Sequence, residues 1–498
     1  MTTVMAPETE ALLATEPQAQ PPGGLSLTQL ARRDGIEFIM ATFTTMTGRP
    51  CSKLVPVCAA GDLEDGKMGF AGFAAGAIGQ EPGDGDLVVI PDLSSYTPLH
   101  FIKRGLAMVH CDPQLDGQPH PFAPRQILRA QMARAAALGL ELKVGAEIEY
   151  FLVEKGDGWE IKVADDTDTA LQPCYDARGL IRQFDHLTDV SRAMESLGWQ
   201  PYASDHEDAN GQFEQNFAYA NALVTADRVI TARYIIRMLA EKRGMTATFM
   251  PKPFMDRTGN GLHLHMSLWG PDGTGVFPLR SAAPADYAPP ATDSTGVFPL
   301  QSAGAAGPDD GGASAIPSQF NPYSLSPVAL GYVAGLLEHA PGLMAVLNPT
   351  VNSYKRTAAL STASGATWTP RYASYGGDDR GVMVRIPDNK RVEIRVGDGS
   401  ACSYLAMAAC LGAGLDGIER GLHPGPAGAD HHEGRPILAR TLMDAVEAFE
   451  SDAVVRAVFD SVDPAAGVSQ YYATLKRNEF YAWHDAISIW EIERYLTA

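Results

Sequence analysis

The sequence predicts a mixed α+β fold in two unequal domains. Segments in which apolar and polar residues alternate, as they do in half-exposed β-strands, are interspersed with stretches of helical periodicity. The first strands are short and separated by Gly, Pro and Asp turns, whereas Pro124 opens an amphipathic helical pattern. We therefore predict a small β-rich domain over residues 25–120 and a larger domain over residues 121–498.

Each domain contains candidate helices and strands. In the first domain, residues 25–34 have a helical pattern, and residues 36–44, 87–90 and 107–110 have strand patterns. In the second domain, helices are predicted at residues 222–243, 327–347, 442–459 and about 471–495. Strands are predicted there at residues 144–151, 260–267 and 391–396.

Two segments contain too few apolar residues to order themselves. Residues 1–24 are rich in Ala, Pro, Gln and Thr, and we expect a disordered tail. Residues 271–316 are dense in Pro, Gly, Ala, Ser and Asp, and the hexapeptide at 274–279 recurs at 295–300. Because two copies do not build a repeat fold, we interpret this second segment as a low-complexity surface insertion.

The charge balance excludes several classes of partner. Lys and Arg number 39 against 59 Asp and Glu, and the net charge of −20 repels nucleic acids and anionic membranes.

The sequence has no apolar run of about 18 residues that would predict a membrane span, and no signal-peptide pattern. Six cysteines without CxxC spacing fit a reducing compartment, so the expected location is cytoplasmic.

Several segments of the larger domain place charged side chains on one strand face. Residues two apart on a strand share a face, and the apolar neighbours of these charged residues face the other way. The charged sets are Glu147 with Glu149, His263 with His265, Glu207 with Glu214, and Arg391 with Glu393 and Arg395. One such strand alone is typical of a solvated sheet face. Their combination in one domain favours a functional site.

The same residues predict a divalent metal site. Clustered carboxylates repel one another unless cations offset their charge, and carboxylate oxygens with one imidazole suit Mg²⁺ or Mn²⁺. The predicted ligands are Glu147, Glu149, Glu207, Glu214, His263 and Glu393. The planar guanidiniums that match carboxylates and phosphates belong to Arg356, Arg380, Arg385, Arg391 and Arg395. Divalent cations together with arginines indicate phosphoryl transfer.

Other nucleotide-binding and hydrolytic motifs are missing from the sequence. Neither a P-loop nor a G-x-G-x-x-G fingerprint occupies a strand-to-helix turn, and no Ser–His–Asp elbow stands out. Three other histidines, His206, His431 and His432, are interpreted as surface or capping residues.

The motifs resemble the glutamine synthetase superfamily over most of the chain, from about Leu25 to the C-terminus. The segments that carry the resemblance are Gly145-Ala-Glu-Ile-Glu149, His206-Glu207, Gly211-Gln-Phe-Glu214, Phe249-Met-Pro-Lys-Pro253, Gly261-Leu-His-Leu-His-Met-Ser267, Asn348-Pro, Asn352-Ser-Tyr-Lys-Arg356, Arg385-Ile-Pro and Arg391-Val-Glu-Ile-Arg395. The resemblance implies a β-grasp N-terminal domain and a catalytic domain with a curved antiparallel sheet. It also implies a homo-oligomer, a dodecamer of two hexameric rings with active sites between subunits.

The resemblance also implies a role for each site residue. One metal would be held by Glu149, Glu207 and Glu214, and a second by Glu147, His263 and Glu393, with two or three Mg²⁺ or Mn²⁺ ions per site. His265, Ser267, Arg385 and Arg391 would bind ATP, and Arg356, Arg395, Gly259 and Asn260 would bind glutamate. The implied catalytic residues are Arg380, Arg356 and Glu393.

The implied reaction joins the γ-carboxylate of L-glutamate to an amine. Phosphoryl transfer from ATP gives γ-glutamyl phosphate, whose acyl carbon a neutral amine then attacks, releasing phosphate. Water must be excluded, because hydrolysis of this intermediate would waste ATP.

The chain departs from ammonia-using members where the amine binds. Thr45 aligns with the acid that grips ammonium from the adjacent subunit. The flap, residues 358–370 after Lys355-Arg356 with the run Ser364 to Pro370 at its end, contains Trp368 but no acid. The flap is similar to the branch of γ-glutamylmethylamide synthetases and type III glutamine synthetases. We therefore expect methylamine or another small primary amine, since the ring offers a π-face to an alkylated cation.

Three alternatives remain open at this point. One is a glutamine synthetase that uses ammonia, and another is a ligase for ethylamine, ethanolamine, an aniline or a polyamine. The third is a structural or regulatory relative without chemistry, which the complete set of predicted metal ligands argues against.

Overall fold

The computed structural model describes residues 24–158, 160–279, 321–428 and 435–498. Most of the predicted tail and residues 280–316 of the predicted insertion lie outside the described residues. The start of the insertion needs correction, because Phe277 is fully buried in the main core and its carbonyl accepts a hydrogen bond from Ser326 N–H. The segment up to residue 279 therefore packs with the larger unit.

The N-terminal part forms a mixed seven-stranded sheet. Its strands are β1 (Phe38–Thr44), β2 (Pro50–Pro56), β3 (Gly69–Phe70), β4 (Leu87–Pro91), β5 (Thr97–Pro98), β6 (Leu106–Leu115) and β7 (Gln118–Pro119). The order is β2–β1–β6–β4–β3, with β5 and β7 also paired to β6, and only β1 and β6 run parallel among these strands. Its helices are α1 (Leu27–Arg33), α2 (Ala60–Glu64) and α3 (Gly72–Ala75). This sheet has its own hydrophobic core.

A ten-stranded, mostly antiparallel sheet dominates the rest of the chain. Its strands are β8 (Glu141–Lys155), β9 (Ile161–Val163), β10 (Pro201–His206), β11 (Gln212–Phe217), β12 (Ala220–Asn221), β13 (Thr246–Thr248), β14 (Leu262–Trp269), β15 (Tyr375–Gly376), β16 (Val384–Asp388) and β17 (Arg391–Ile394). The order is β10–β11–β8–β14–β17–β16–β15, and β9, β12 and β13 also pair with β8. The long strand β8 is therefore the centre of the sheet.

The larger part of the chain also contains helices, some of which pack on the large sheet and others on one another. The helices are α4 (Pro124–Ala137), α5 (Ala177–Arg182), α6 (Phe184–Ser196), α7 (Ala222–Glu241), α8 (Pro327–Glu338), α9 (Ala340–Leu347), α10 (Ser353–Thr357), α11 (Ser403–Glu419), α12 (Leu442–Ser451), α13 (Ala453–Phe459), α14 (Val468–His484) and α15 (Ile489–Tyr495). The alternation in β14 buries Leu262, Leu264 and Met266 in the same core as these helices. His263 and His265 consequently share the opposite face. The predicted α+β fold is confirmed.

Three predicted helices are interrupted. The one predicted over residues 327–347 is two helices bent by 75°, because Pro341 lacks an N–H and clashes with the preceding turn. The one over 442–459 ends at Ser451, and Asp452 caps the next helix by accepting hydrogen bonds from Val454 N–H and Val455 N–H. The terminal helix is interrupted before Ser488, which forms a capping box with Glu491.

Among the described residues, no single helix has the length and apolar composition of a membrane span. One bent pair, α8 with α9, passes the same criteria of length and composition when the two helices are taken together.

Candidate active site

The sheet order brings the predicted site residues together. Glu214 on β11 lies opposite Glu149 on β8, and His263 on β14 lies opposite Glu147 on β8. Glu393 on β17 then lies opposite both His265 on β14 and Arg385 on β16. A continuous row of charged side chains therefore crosses five adjacent strands on the face away from the helices.

Glu147 lies between the two histidines. Its carboxylate is 3.0 Å from His263 Nδ1 and 2.8 Å from His265 Nε2. Arg391 Nε–H, which is always a donor, lies 3.2 Å from His265 Nδ1. The His265 ring is therefore oriented with Nδ1 towards the Arg391 guanidinium and Nε2 towards Glu147. Burial opposes ionisation of Glu147, but the imidazoles beside it hold its pKa well below the ordinary value.

Glu393 is held between two guanidiniums. Arg385 Nη1 donates to Glu393 Oε2 at 2.8 Å, and Arg395 Nη1 donates to Oε1. Burial of this carboxylate opposes ionisation, but His265 and Arg395 outweigh it and lower the pKa of Glu393 to about 2. Glu393 is therefore an anion that fixes both arginines.

The other end of the row is an acid cluster with too few cations. Burial, together with Glu149 and Asp205, raises the pKa of Glu207 to about 8. Burial, with Glu147 and Glu207 next in effect, also raises the pKa of Glu214 well above its ordinary value. Glu149 is held in place by hydrogen bonds from Gly261 N–H at 2.7 Å and Gln212 Nε2 at 3.1 Å. A divalent cation would relieve this repulsion.

Two groups of side chains offer ligand atoms close enough for a metal ion. The first group is Glu147, Glu214 and His263, and the second is Glu147, His265 and Glu393. In each group the ligand atoms lie within 4.8 Å of one another. Carboxylates with one imidazole are the donor set that fits Mg²⁺ or Mn²⁺. All six predicted ligands lie in this row or beside it, although Glu149 and Glu207 belong to neither compact group among the described residues.

Arg356 and the glycine loop, residues 259–261, form the neighbouring part of the site. The Arg356 guanidinium is buried, its Nη1 donates to Val396 O at 3.1 Å, and its Nε has no hydrogen-bond partner within the described residues. A Cβ on Gly261 would lie 2.7 Å from His263 Nε2 and 2.9 Å from Glu149 Oε1. Only glycine permits this close approach.

The remaining predicted substrate residues of the glycine loop face inward. A Cβ on Gly259 would lie 2.1 Å from Pro251 O. The Asn260 side chain is fully buried and donates to the carbonyls of Thr248 and Met250 at 3.1 and 3.0 Å. Asn260 therefore supports the loop with its side chain.

Other predicted residues occupy different parts of the site. Arg380 has an exposed side chain, and its carbonyl accepts a hydrogen bond from Arg395 Nε. Ser267 lies on the histidine face of β14, where its hydroxyl accepts from Trp269 Nε1 at 2.9 Å. Thr45 is buried in the turn after β1 and bonds Thr47.

The flap contacts an acid that the sequence analysis did not identify. Trp368 Nε1 donates to Asp208 Oδ2 at 2.6 Å, and Ser364 Oγ donates to the same oxygen at 2.5 Å. Asp208 follows the predicted ligand Glu207 but is 160 residues from Trp368 in the chain. The only sequence signal for Asp208 is its place in the His206-Glu207-Asp208 run.

The surface interpretation of His206 is wrong. Its ring is fully buried, with Nε2 at 2.9 Å from Asp168 Oδ2 and Nδ1 at 2.9 Å from Glu207 O. The same Asp168 oxygen accepts from Gly211 N–H at 2.6 Å. Asp168 and His206 therefore fix both ends of the turn that carries Glu207. His431 and His432 lie outside the described residues.

Comparison with known proteins identifies this arrangement. The glutamine synthetase catalytic-domain family model matches residues 121–286 and 309–495. A glutamine synthetase of Rhizobium leguminosarum bv. phaseoli is 37% identical over 474 residues, or 94% of this chain and 98% of that protein. A glutamate–methylamine ligase of Methyloversatilis universalis is 33% identical over 479 residues, with the same two coverages.

Solved structures agree with the sequence relatives. A GmaS–ADP complex is 39% identical with a TM-score of 0.80, and the match covers 95% of this chain and all of that one. A glutamine synthase homologue at 23% identity has a TM-score of 0.70, covers 91% of this chain and 96% of that one, and supports the fold alone.

The fold and the charged row define an enzyme of the ligase class. The chain belongs to the glutamine synthetase family, and it resembles the GmaS branch of that family.

Proposed function

We propose that the protein is an ATP-dependent ligase that joins the γ-carboxylate of L-glutamate to a small primary amine, with methylamine favoured. The products are a γ-glutamylamide, ADP and phosphate, and γ-glutamyl phosphate is the intermediate. The family membership supports the ligase chemistry, and the flap supports the choice of amine.

The acid cluster supports the use of Mg²⁺ or Mn²⁺ with ATP. The proposed ligands are Glu149, Glu207 and Glu214 for one ion, and Glu147, His263 and Glu393 for the other. When bound, the ions neutralise phosphate charge. The raised pKa values of Glu207 and Glu214 agree with a site that needs added positive charge.

His265 is suited to bind a nucleotide phosphate. Arg391 fixes its tautomer, so the Nε2–H can donate to an anion once Glu147 binds a cation. Arg391, Arg385 and Ser267 share this part of the sheet and complete the proposed ATP site.

The arginines on the other side are suited to glutamate and to the transferred phosphoryl group. Arg356 is buried beside Glu149, and its Nε has no hydrogen-bond partner among the residues that the structure describes. We assign Arg356 to the substrate carboxylates together with Arg395 and the Gly259–Asn260 backbone. Arg380 is exposed and free to follow the phosphoryl group as charge moves from ATP to the γ-carboxylate.

The exposed Trp368 ring is the observation that carries the choice of amine. Its N–H is fixed on Asp208, so the indole keeps one orientation while 43% of its surface remains exposed. An aromatic face attracts an alkylammonium ion and then shields the neutral amine from water. The flap segment 364–370 has no acid of its own to grip a bare ammonium ion.

An amine panel tests this function directly. Purified enzyme with glutamate and Mg·ATP should be given ammonium, methylamine, ethylamine, ethanolamine or a polyamine at equal concentration. Amide mass and phosphate release should show the highest kcat/KM with methylamine. A clear preference for ammonium would favour an ordinary glutamine synthetase. That function is the second candidate because a relative of 37% identity is a glutamine synthetase.

The C-terminal helix supports a homo-oligomer. The described residues of the single chain bury no side chain of α15, and the apolar residues Ile489, Trp490, Ile492 and Tyr495 are exposed. A seven-residue helix has little stability by itself, so this apolar surface needs a partner, which we assign to a second copy. We propose the dodecamer of two hexameric rings with active sites between subunits, although the predicted amine-site residue Thr45 is fully buried within its own chain.

The oligomer has a simple test. Light scattering of the full chain should give the mass of a dodecamer, and deletion of residues 487–498 should reduce it. A monodisperse monomer of the full chain would contradict the proposal. A cytoplasmic location remains part of the proposal and agrees with the six cysteines, all of which are unpaired.

A further inference from the structure

Asp208 connects the flap to the acid cluster. Its Oδ2 accepts hydrogen bonds from Trp368 Nε1 at 2.6 Å and Ser364 Oγ at 2.5 Å, and the residue is only 8% exposed. Its own backbone N–H donates to Glu207 Oε2 at 3.3 Å. Asp208 thus joins the turn that carries Glu207, a proposed metal ligand, to both ends of segment 364–368.

Few other hydrogen bonds join this part of the flap to the rest of the described residues. Ala363 N–H donates to Asp256 O at 2.7 Å, and Thr362 bonds within the loop. Trp368 has a φ of +54°, a left-handed conformation that is unfavourable for a bulky side chain. An external partner is needed to keep Trp368 in this conformation, and the charge-assisted bond to Asp208 supplies one.

We propose that Asp208 is a positioning residue that holds the flap 358–370 closed over the site and fixes the Trp368 ring where the amine enters. This inference rests on the proposed ligase function and adds a determinant of amine affinity and of water exclusion. Asp208 acts through the flap and does not itself contact the reacting atoms.

The contacts of Asp208 with Trp368 and Ser364 predict that its loss affects amine use more than glutamate binding. Loss of the acceptor frees Trp368 and Ser364, so the amine loses its ordered wall and water gains access to the acyl phosphate. We place glutamate on the side of the Arg356 guanidinium, which donates to Val396 O and has no described hydrogen bond to segment 364–370, so the KM for glutamate should change little. A general loss of folding would instead affect all substrates.

The test compares Asp208→Ala with two related variants. Asp208→Asn keeps an oxygen acceptor at the same place and should restore most of the coupling, because the role depends on hydrogen-bond geometry. Asp256→Ala is the matched control, since that carboxylate lies beside the flap and is 71% exposed, and only its backbone bonds the flap.

We expect Asp208→Ala to raise the KM for the best amine by about tenfold or more, as loss of bonds to a charged acceptor implies. Phosphate released per amide formed should rise above one, while the KM for glutamate stays within about twofold. Asp256→Ala should leave all three values near wild type. Combining Asp208→Ala with Trp368→Phe should add little to the effect of either change.

Hydrogen exchange provides a readout that does not depend on activity. Amides of residues 358–370 should exchange faster in Asp208→Ala and in Ser364→Ala than in wild type or Asp256→Ala. Unchanged exchange, or an equal rise in the KM values for glutamate and amine, would overturn the proposed positioning role of Asp208. If ammonium is the preferred amine, the proposed substrate fails, while coupling measured with ammonium still tests Asp208.

Discussion

Glu149 and Glu214 face each other on the adjacent antiparallel strands β8 and β11. Each carboxylate accepts a hydrogen bond from its own donor: Glu149 from Gly261 N–H at 2.7 Å, and Glu214 from Asn216 Nδ2 at 2.8 Å. Two carboxylates in this position disfavour each other's ionised form. The strand register therefore builds a site that is electrostatically incomplete without a cation.

Metal-free protein should lose stability as the pH rises from about 4.5 to about 8. Glu207 has its pKa raised from 4.5 to about 8, so the folded state binds more protons than the unfolded state in this window. Its contribution is fully present below pH 4.5 and is lost as the pH passes through 8. Urea unfolding of chelator-treated protein across this range measures the loss.

Mg²⁺ or Mn²⁺ should reverse this trend. Binding should release protons and stabilise the protein more at pH 8 than at pH 5, because the acids must be ionised to bind. Glu207→Gln should flatten the pH dependence of the metal-free protein. A metal effect that is the same at both pH values would contradict the assignment.

Glu393→Gln should abolish most of the activity. The change removes the anion between Arg385 and Arg395 and also one proposed metal ligand, so kcat/KM should fall by at least about 100-fold. Steady-state kinetics over a range of Mg²⁺ concentrations measures the loss. Asp388→Asn, which breaks an ion pair of the same hairpin at 2.6 Å from Arg391, is the control and should cost far less.

The sheet face on which the site residues lie could be predicted from the sequence. Strand alternation alone places His263 with His265 and Glu147 with Glu149, and the structure confirms that these pairs share the polar face. How residues on different strands group depends on register, which is set by long-range pairing. The compact group of Glu147, His265 and Glu393 therefore could not be derived from spacing.

Local signals explain which other predictions failed. Pro341 and the Ser488–Glu491 capping box both mark helix ends that could have been recognised in the sequence. Asp208 gives no such signal, because its role depends on a hydrogen bond to a residue 160 positions away. The buried His206 likewise depends on Asp168, 38 residues earlier.

Trp368→Ala should reduce the selectivity for methylamine over ammonium. A cation–π contact of about 0.5–2 kcal/mol corresponds to a rise of about 2–30-fold in the KM for methylamine, with a smaller effect for ammonium. Initial rates with both amines measure the ratio. Leu360→Ala, which truncates another exposed apolar residue of the flap, is the control and should leave the ratio unchanged.

Arg125→Ala should strongly destabilise the protein. Arg125, at the start of α4, donates two hydrogen bonds of 2.9 Å to Asp227 on α7 and further bonds to Asp92 and Asp112 near the N-terminal sheet. Its loss leaves the buried Asp227 carboxylate without its guanidinium partner, at a cost of about 3–5 kcal/mol in the free energy of unfolding. Urea unfolding measures this cost.

Arg129 provides the comparison for Arg125. It also bonds Asp92, at 2.6 Å, but its side chain is 38% exposed. Arg129→Ala should therefore cost at most about 1 kcal/mol. Equal losses for the two variants would show that the buried network does not connect the two sheets energetically.

His339 should make stability depend on pH above neutrality. Its two ring nitrogens lie 2.9 Å from Asp416 Oδ2 and Asp452 Oδ2, so both must carry protons and the ring is a cation. Burial lowers its pKa, but the bonds to Asp416 and Asp452 outweigh burial and raise the pKa of His339 from 6.5 to about 9. The folded state therefore holds a proton that the unfolded state loses.

The resulting stabilisation should be complete below pH 6.5 and disappear as the pH rises through 9. Its size is about 3 kcal/mol, from about 1.4 kcal/mol for each pKa unit. The difference in unfolding free energy between wild type and His339→Gln should therefore shrink from pH 6 to pH 9.5. His100→Gln is the control, because that ring bonds backbone atoms of Asp34 and Gly105. A difference between wild type and His339→Gln that stays constant with pH would show that His339 stabilises the helix junction by packing alone.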